Sequence, residues 1–360
     1  MKAATDTRLA RLRSMLKDEG LEAILITHPV NRRYVSGFTG TAGYVVVTEA
    51  NAWFFTDFRY VTQAKEQAPA FDIVEHGTSA LASIGETLQQ AGVRRLGFEQ
   101  QHISYGAYLE CMRTLGETVA LVPTDGWVER LRRKKEPDEL AVIRKAVDIA
   151  DAAFEHILGF LKPGIAERDI ALELEMFMRK QGASSSSFDT IVASGERSAL
   201  PHGVAGERVI GNNEFVTLDF GAYYGGYCSD MTRTVAVGKP PEKLIELYHI
   251  TLEAQLAAVA GVRPGITGQE GDALARDIIE ARGYGACFGH GTGHAVGMEI
   301  HESPRLSKTD PTVLEPNMVV TVEPGIYVPG LGGVRIEDMV VVTASGCDIL
   351  TRSGKELVYL

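Results

Sequence analysis

The segment EFVTLDFGAYYGGYCSDMTRTVAV, residues 214 to 237, constrains this chain more than any other. Two runs of β-branched and aromatic residues flank Tyr223, Tyr224, Gly225 and Gly226. The reading is a β-hairpin. With the turn centred between Tyr224 and Gly225, Asp219 and Asp230 become cross-strand partners. Directly opposed residues carry Cβ atoms ~4.5–5.5 Å apart, so two carboxylates there repel one another unless a cation neutralises them. Three readings stay open on this pair alone: solvation on the outer face, a register shifted by one residue, or a shared metal.

Further ligand types follow downstream. The stretch GHGTGHAVGMEIHESP holds His290, His294 and His301, three of the nine histidines, interleaved with Gly289, Gly291, Gly293 and Gly297. Glycine permits close backbone approach and leaves room for a ligand. In MVVTVEPGIY, Glu323 ends an apolar β run directly before Pro324, which interrupts a central strand. In GGVRIEDMVVV, period-two alternation puts Val334 and Ile336 on one face and Arg335 and Glu337 on the other. On that motif alone Arg335 simply pairs with Glu337, and Asp338 falls to the apolar side and is no ligand candidate. Asp219, Asp230, His294, Glu323 and Glu337 together offer four carboxylates and one imidazole. That set suits two hard or borderline divalent ions such as manganese or cobalt. Two such ions ~3.5–4 Å apart lower the pKa of a water enough for it to attack near neutral pH, so hydrolysis is the expected chemistry.

Composition narrows the classes. A chain of 360 residues implies two domains, and 36 Lys and Arg against 47 Asp and Glu give a net charge of −11. Nucleic acid and anionic membrane surfaces are therefore not expected partners. No apolar run approaches the ~20 residues of a membrane-spanning helix. The first twenty residues read as an amphipathic helix ending at Gly20, with Leu9, Leu12 and Leu16 on one stripe, rather than as a secretory signal. Cys111, Cys228, Cys287 and Cys347 form no CxxC pair, which disfavours a zinc-thiolate site and fits a reducing, cytoplasmic compartment.

Strand and helix patterns alternate over roughly the first 125 residues, as in an α/β domain. HPVNRRYVSGFTGT reads there as a turn-rich connection. The charged run RLRRKKEPDEL, with Pro137 opening a helix, marks a boundary, giving domains of 1–130 and 131–360. In the second, an α+β domain, the order helix, helix, strand-rich segment occurs twice. Its later helices are expected from Pro241 to about Ala260 and from Gly268 to about Arg282.

VTLDFG, CSDMTRT, HGTGHAVG, TVEPGIY and GGVRIED, in this order, resemble the pita-bread metallopeptidases: methionine aminopeptidase, prolidase, aminopeptidase P and the metal-free relative creatinase. NRRYVSGFTGT and FTDFRY resemble the smaller α/β creatinase-like N-terminal domain of the proline-specific branch. The resemblance implies an α+β pita-bread catalytic domain and two divalent ions per chain, manganese first, with cobalt or zinc as alternatives. It implies that Asp219 chelates one ion, that Asp230 and Glu337 bridge both, and that His294 with Glu323 completes the other. Glu323 becomes the general base, His202 in SALPHG a substrate contact near the scissile carbonyl, and His301 a stabiliser of the tetrahedral intermediate. His290 matches a wall of the proline pocket and Arg335 a group that orients nearby carboxylates. Arg305, in HESPRLS, matches an arginine that binds the free carboxylate of a dipeptide. The implied activity is Xaa-Pro dipeptide hydrolysis, with an Xaa-Pro aminopeptidase acting on longer proline-containing peptides as the alternative. A metal-free creatinase-like hydrolase and a non-catalytic binding protein predict a broken ligand set. The family's habit implies a homodimer.

Overall fold

A computed structural model describes residues 2–360, with side chains from Ala4 onward. The chain divides into two compact units, Met1–Arg132 and Arg133–Leu360.

The first unit is built on a six-stranded sheet ordered Asp72–Glu75, Ala52–Thr56, Tyr44–Thr48, Ala23–Ile26, Arg95–Glu99, Ala120–Thr124. The three consecutive strands from Ala23 to Thr56 pair antiparallel, and the outer pairings are parallel. The alternation in YVVVT and AWFFT buries Val46 and Phe55 against Ile84 and Leu88 of the helix Ala80–Gln90. The stretch read as a turn-rich connection instead contains a helix, Pro29–Ser36. Its signals were present: His28 Nδ1 accepts from Asn31 N at 3.4 Å, Pro29 opens the first turn, and Gly37 closes it at φ 80°. They were masked because the inward face mixes polar Asn31 and Arg32 with Tyr34 and Val35. Buried Asn31 donates to Glu99 at 2.7 Å, and buried Arg32 donates to the carbonyls of Gly40 and Gly43, each at 2.9 Å.

The second unit runs helix, helix, strands, and then repeats that order. Pro137–Leu158 and Glu167–Lys180 precede the strands between Ser185 and Val237; Glu242–Gly261 and Gly268–Ala281 precede those between Gly293 and Ile349. Pro137 opens the first helix while the Glu139 carboxylate accepts from Glu136 N at 2.9 Å. Thr267 and Glu270 form the reciprocal pair at the start of the last helix. Two apolar clusters fill the unit. One packs Ile149, Phe154, Leu174 and Met178 on Val216, Leu218 and Val235; the other packs Leu247, Ala258 and Ile279 on Val320, Val322 and Val340. The chain thus has mixed helices and sheets in both units, with the ligand-rich motifs of the sequence on strands that line the second unit's interior.

Candidate metal centre

The hairpin of residues 214 to 237 exists, in a different register. Tyr224 pairs with Tyr227 and Thr232 pairs with Asp219, so Asp219 and Asp230 are not direct partners. The reason is the turn. Gly225 and Gly226 are its two central residues, at φ 59° and 96°, and a two-residue turn with both φ positive is closed to most side chains but open to Gly-Gly. The shift leaves Asp230 diagonal to Asp219, still on the same face and within reach of it. Between them the hairpin bends: a Cβ on Gly221 would lie 1.8 Å from the Ser229 carbonyl oxygen, so only glycine allows that crossing.

Asp219, Asp230 and Glu337 come together, each offering a carboxylate oxygen within 4.8 Å of the others, and all three are buried. Glu337 arrives from the connection between the strands Gly332–Arg335 and Asp338–Val342, where the chain passes from one sheet to another and Glu337 N bonds Thr232 O at 3.1 Å. Glu323 and His294 stand at the edge of this cluster. His294 Nε2 lies 3.2 Å from Glu323 Oε1 and 3.6 Å from Asp230 Oδ2. Thr321, on the strand Val319–Val322, donates to Glu323 Oε1 at 3.1 Å and accepts from His294 N at 3.0 Å, which fixes the two side chains relative to one another.

Arg335 does not pair with Glu337. Its Nη2 donates to Asp219 Oδ2 at 2.6 Å, its Nε to Thr232 Oγ1 at 3.1 Å, and its Nη1 to Tyr327 Oη at 2.8 Å and to the Pro201 carbonyl at 3.1 Å. Thr232 in turn donates to Glu337 Oε2 at 2.7 Å. Tyr327 Oη is also 2.8 Å from His290 Nε2, while His290 Nδ1 is 2.8 Å from the Gly291 carbonyl, which requires its proton there. Burial lowers the pKa of His290, and the chain from Arg335 through Tyr327 suits a neutral ring. Asp338, left out of the ligand set by its alternation, faces away from the cluster and is held by Arg233, Gln255 and Lys355 at 2.8, 2.9 and 2.6 Å.

The electrostatics call for positive charge. Burial, reinforced by the neighbouring carboxylates, pushes the pKa values of Asp230 and Glu337 well above the ordinary range. Burial also raises Asp219, against the pull of Arg335. Burial works against the charged form of Glu323 as well, but the hydrogen bond and charge of His294 hold it down at about 2. Two buried oxygens, Asp219 Oδ1 and Glu337 Oε1, have no hydrogen-bond partner among the described residues. Orphaned, convergent, hard oxygen donors with an imidazole beside them fit divalent metal ions.

The cluster opens into a cavity of about 360 Å³, lined among others by His202, His290, His301, Arg305 and Arg335. The His301 ring stands edge-on to His294, with centroids 4.4 Å apart. His202 and Arg305 are exposed on its rim, and Arg305 has no ion-pair partner among the described residues. Phe188, Ile191 and Ile300 add an apolar wall. The residues that sequence reasoning missed are Thr232, Thr321 and Tyr327. Period-two alternation carried a signal for each: it puts Thr321 and Tyr327 on the face of Glu323, and Thr232 on the face of Asp230.

Fold and site define a two-domain protein whose second domain carries a carboxylate-rich divalent-metal centre at the floor of a substrate-sized cavity. The pattern of metallopeptidase family M24 matches residues 141–344, and that of the creatinase/prolidase N-terminal domain matches residues 8–134. Over 353 residues the chain is 53% identical to the uncharacterized peptidase YqhT of Bacillus subtilis (strain 168), covering 98% of this chain and 100% of that protein. It is 39% identical to a Xaa-Pro dipeptidase of Pyrococcus horikoshii, covering 98% of both. Among solved structures, a Xaa-Pro dipeptidase from Bacillus anthracis superposes with a TM-score of 0.97 at 53% identity, over 99% of this chain and 100% of that one. An X-Pro aminopeptidase from Thermotoga maritima superposes with a TM-score of 0.91 at 36% identity, over 98% of this chain and 100% of that one. The chain belongs to metallopeptidase family M24, in the branch that carries the creatinase/prolidase N-terminal domain, and it is a metal-dependent hydrolase. The two-part architecture read from the motifs, a creatinase-like α/β domain followed by an α+β pita-bread domain, is the one observed. No helix among the described residues is long and apolar enough to cross a membrane.

Proposed function

We propose that this chain hydrolyses the peptide bond before proline and that the Xaa-Pro dipeptide is its preferred substrate. The observation that carries the reading is the buried Asp219, Asp230 and Glu337 cluster, with its orphaned oxygens at the floor of a cavity rimmed by histidines and Arg305. Asp219, Asp230, His294, Glu323 and Glu337 would together hold two divalent ions. Manganese is the proposed metal, with cobalt or zinc as alternatives. Bound there, the ions would supply Lewis-acid polarisation of the scissile carbonyl and a water of lowered pKa.

The chain's own groups do the rest. Thr321 holds Glu323 Oε1, and the Glu323 carboxylate is placed to take the water's proton and hand it to the departing proline nitrogen. His202 and His301 donate toward the carbonyl oxygen as its charge develops. His290, kept neutral and fixed by Tyr327, forms a wall for the proline ring. Arg335 orients Asp219 from behind. Arg305, with no ion-pair partner of its own among the described residues, suits bidentate capture of a dipeptide's free carboxylate.

Aminopeptidase action on longer peptides is the second reading. It is favoured by the near-equal superposition of the Thermotoga maritima X-Pro aminopeptidase at TM-score 0.91 and the Pyrococcus horikoshii prolidase at 0.92. Such similarity leaves Arg305 as the discriminating group. The four free cysteines support a cytoplasmic location, and the resemblance supports a homodimer.

Asp230→Ala and Glu337→Ala test the site. Each should abolish metal binding, measured by elemental analysis, together with Ala-Pro hydrolysis. A metal-loaded, fully active variant would remove the proposed centre. His202→Ala should keep its metals and lose about 100- to 1,000-fold in kcat, the scale of a lost oxyanion donor.

A further inference from the structure

His202 has no side-chain hydrogen bond or ion pair among the described residues, so its position in the cavity is set by its backbone. That backbone is a loop, and one buried carboxylate holds both of its feet. Glu167, the first residue of the helix Glu167–Lys180, is 0% exposed. Its Oε1 accepts from Ser194 N at 2.8 Å and Ser194 Oγ at 2.7 Å, where the loop departs. Its Oε2 accepts from Gly206 N at 3.2 Å, where the loop returns, and from the Arg197 guanidinium within it. Arg197 also donates to the Val204 carbonyl at 2.9 Å, closing the loop a second time around His202. Arg208 reinforces the departing foot: it donates to Ser194 Oγ and forms a fork to both oxygens of Glu214 at 2.8 and 2.7 Å.

At the tip, two further bonds reach the metal-bearing segment. Ser198 Oγ accepts from Gly333 N at 2.8 Å, and the Pro201 carbonyl accepts from Arg335, which also grips Asp219. A buried carboxylate that satisfies two backbone amides, a hydroxyl and a guanidinium is an expensive arrangement to remove, and none of its atoms lines the cavity. Its bonds all converge on the loop rather than on the substrate.

We infer that Glu167 and Arg197 are positioning residues for catalysis: the carboxylate clasp across residues 194 to 206 sets where the His202 imidazole meets the substrate. The inference rests on the proposed role of His202. A loop tied at both feet and at its tip presents the imidazole without the entropy of searching for its place, and misplacement by about 1 Å is enough to lower turnover about 100-fold.

The test is a double-mutant cycle on the manganese-loaded, full-length protein, with Ala-Pro hydrolysis, metal content and thermal midpoint all measured. Glu167→Gln keeps the side chain's shape but turns one acceptor oxygen into a donor; Arg197→Lys keeps the charge but cannot span Glu167 and Val204. Each should retain its metals and lose about 10- to 100-fold in kcat, with a smaller change in KM. Placed in a His202→Ala background, neither should cause a further loss, because the group it positions is gone. Full additivity with His202→Ala, or unchanged kcat in a folded Glu167→Gln protein, would overturn the inference while leaving the site reading intact. A fully active His202→Ala protein would overturn both.

Discussion

At the residue scale, the site separates groups that sequence can name from groups that it cannot. Carboxylates and imidazoles declare themselves, because four acidic side chains and a histidine in apolar, glycine-rich strands have few other uses. For Thr232, Tyr327 and Glu167 the sequence leaves the partner unnamed, because each acts on other segments of the chain: Thr232 on Glu337, Tyr327 between Arg335 and His290, Glu167 on the loop at 194 to 206. Tyr327→Phe therefore makes a sharp test. It removes one oxygen and leaves Arg335 Nη1 and His290 Nε2 short of a partner, at a cost of about 1–3 kcal/mol in a buried setting. The metals should stay bound while kcat/KM for Ala-Pro falls about tenfold or more. Arg305→Ala belongs to the same scale. If its fork takes the substrate carboxylate, dipeptide hydrolysis should fall far more than tripeptide hydrolysis, and equal losses in a kinetic comparison would refute that role.

At the element scale, the hairpin shows how local chemistry decided a register that composition left open. The alternation of VTLDF and DMTRTV establishes the two strands, but their offset depends on which residues make the turn, and Gly225 with Gly226 can take positive φ where Tyr224 cannot. The helix Pro29–Ser36 was hidden for a related reason: its buried side chains include Asn31 and Arg32 beside Tyr34 and Val35, and the polar pair is satisfied by groups elsewhere in the chain. Gly221 marks the bend that aims both aspartates inward. A methyl there meets the Ser229 backbone, which has nowhere to retreat, so Gly221→Ala should destabilise the protein by about 2 kcal/mol in denaturant unfolding and weaken metal binding with it. The strand that follows Glu337 is pinned by a second buried system. Asp338→Ala would strand the Arg233 and Lys355 charges, and a loss of about 3–5 kcal/mol in stability is the expected result.

At the scale of the whole molecule, the doubled order of helix, helix and strands brings the proposed ligands from both halves of the second unit to one place: Asp219 and Asp230 from the first, His294, Glu323 and Glu337 from the second. Such a centre couples metal to folding, since four carboxylates converge and, among the described residues, Arg335 and His294 are the groups seen in direct contact with them that offer compensating charge. Chelation should lower the thermal midpoint. Restoring manganese at about 100 times its dissociation constant should return about 2.7 kcal/mol per site, with a midpoint that depends on metal concentration. The most direct measurement is hydrolysis of Ala-Pro beside Ala-Pro-Ala by chelator-stripped protein, before and after manganese is restored. The account predicts no cleavage without metal and, with it, cleavage of the dipeptide in preference to the tripeptide. Metal-independent cleavage, or a manganese-loaded protein that leaves both peptides intact, would contradict it.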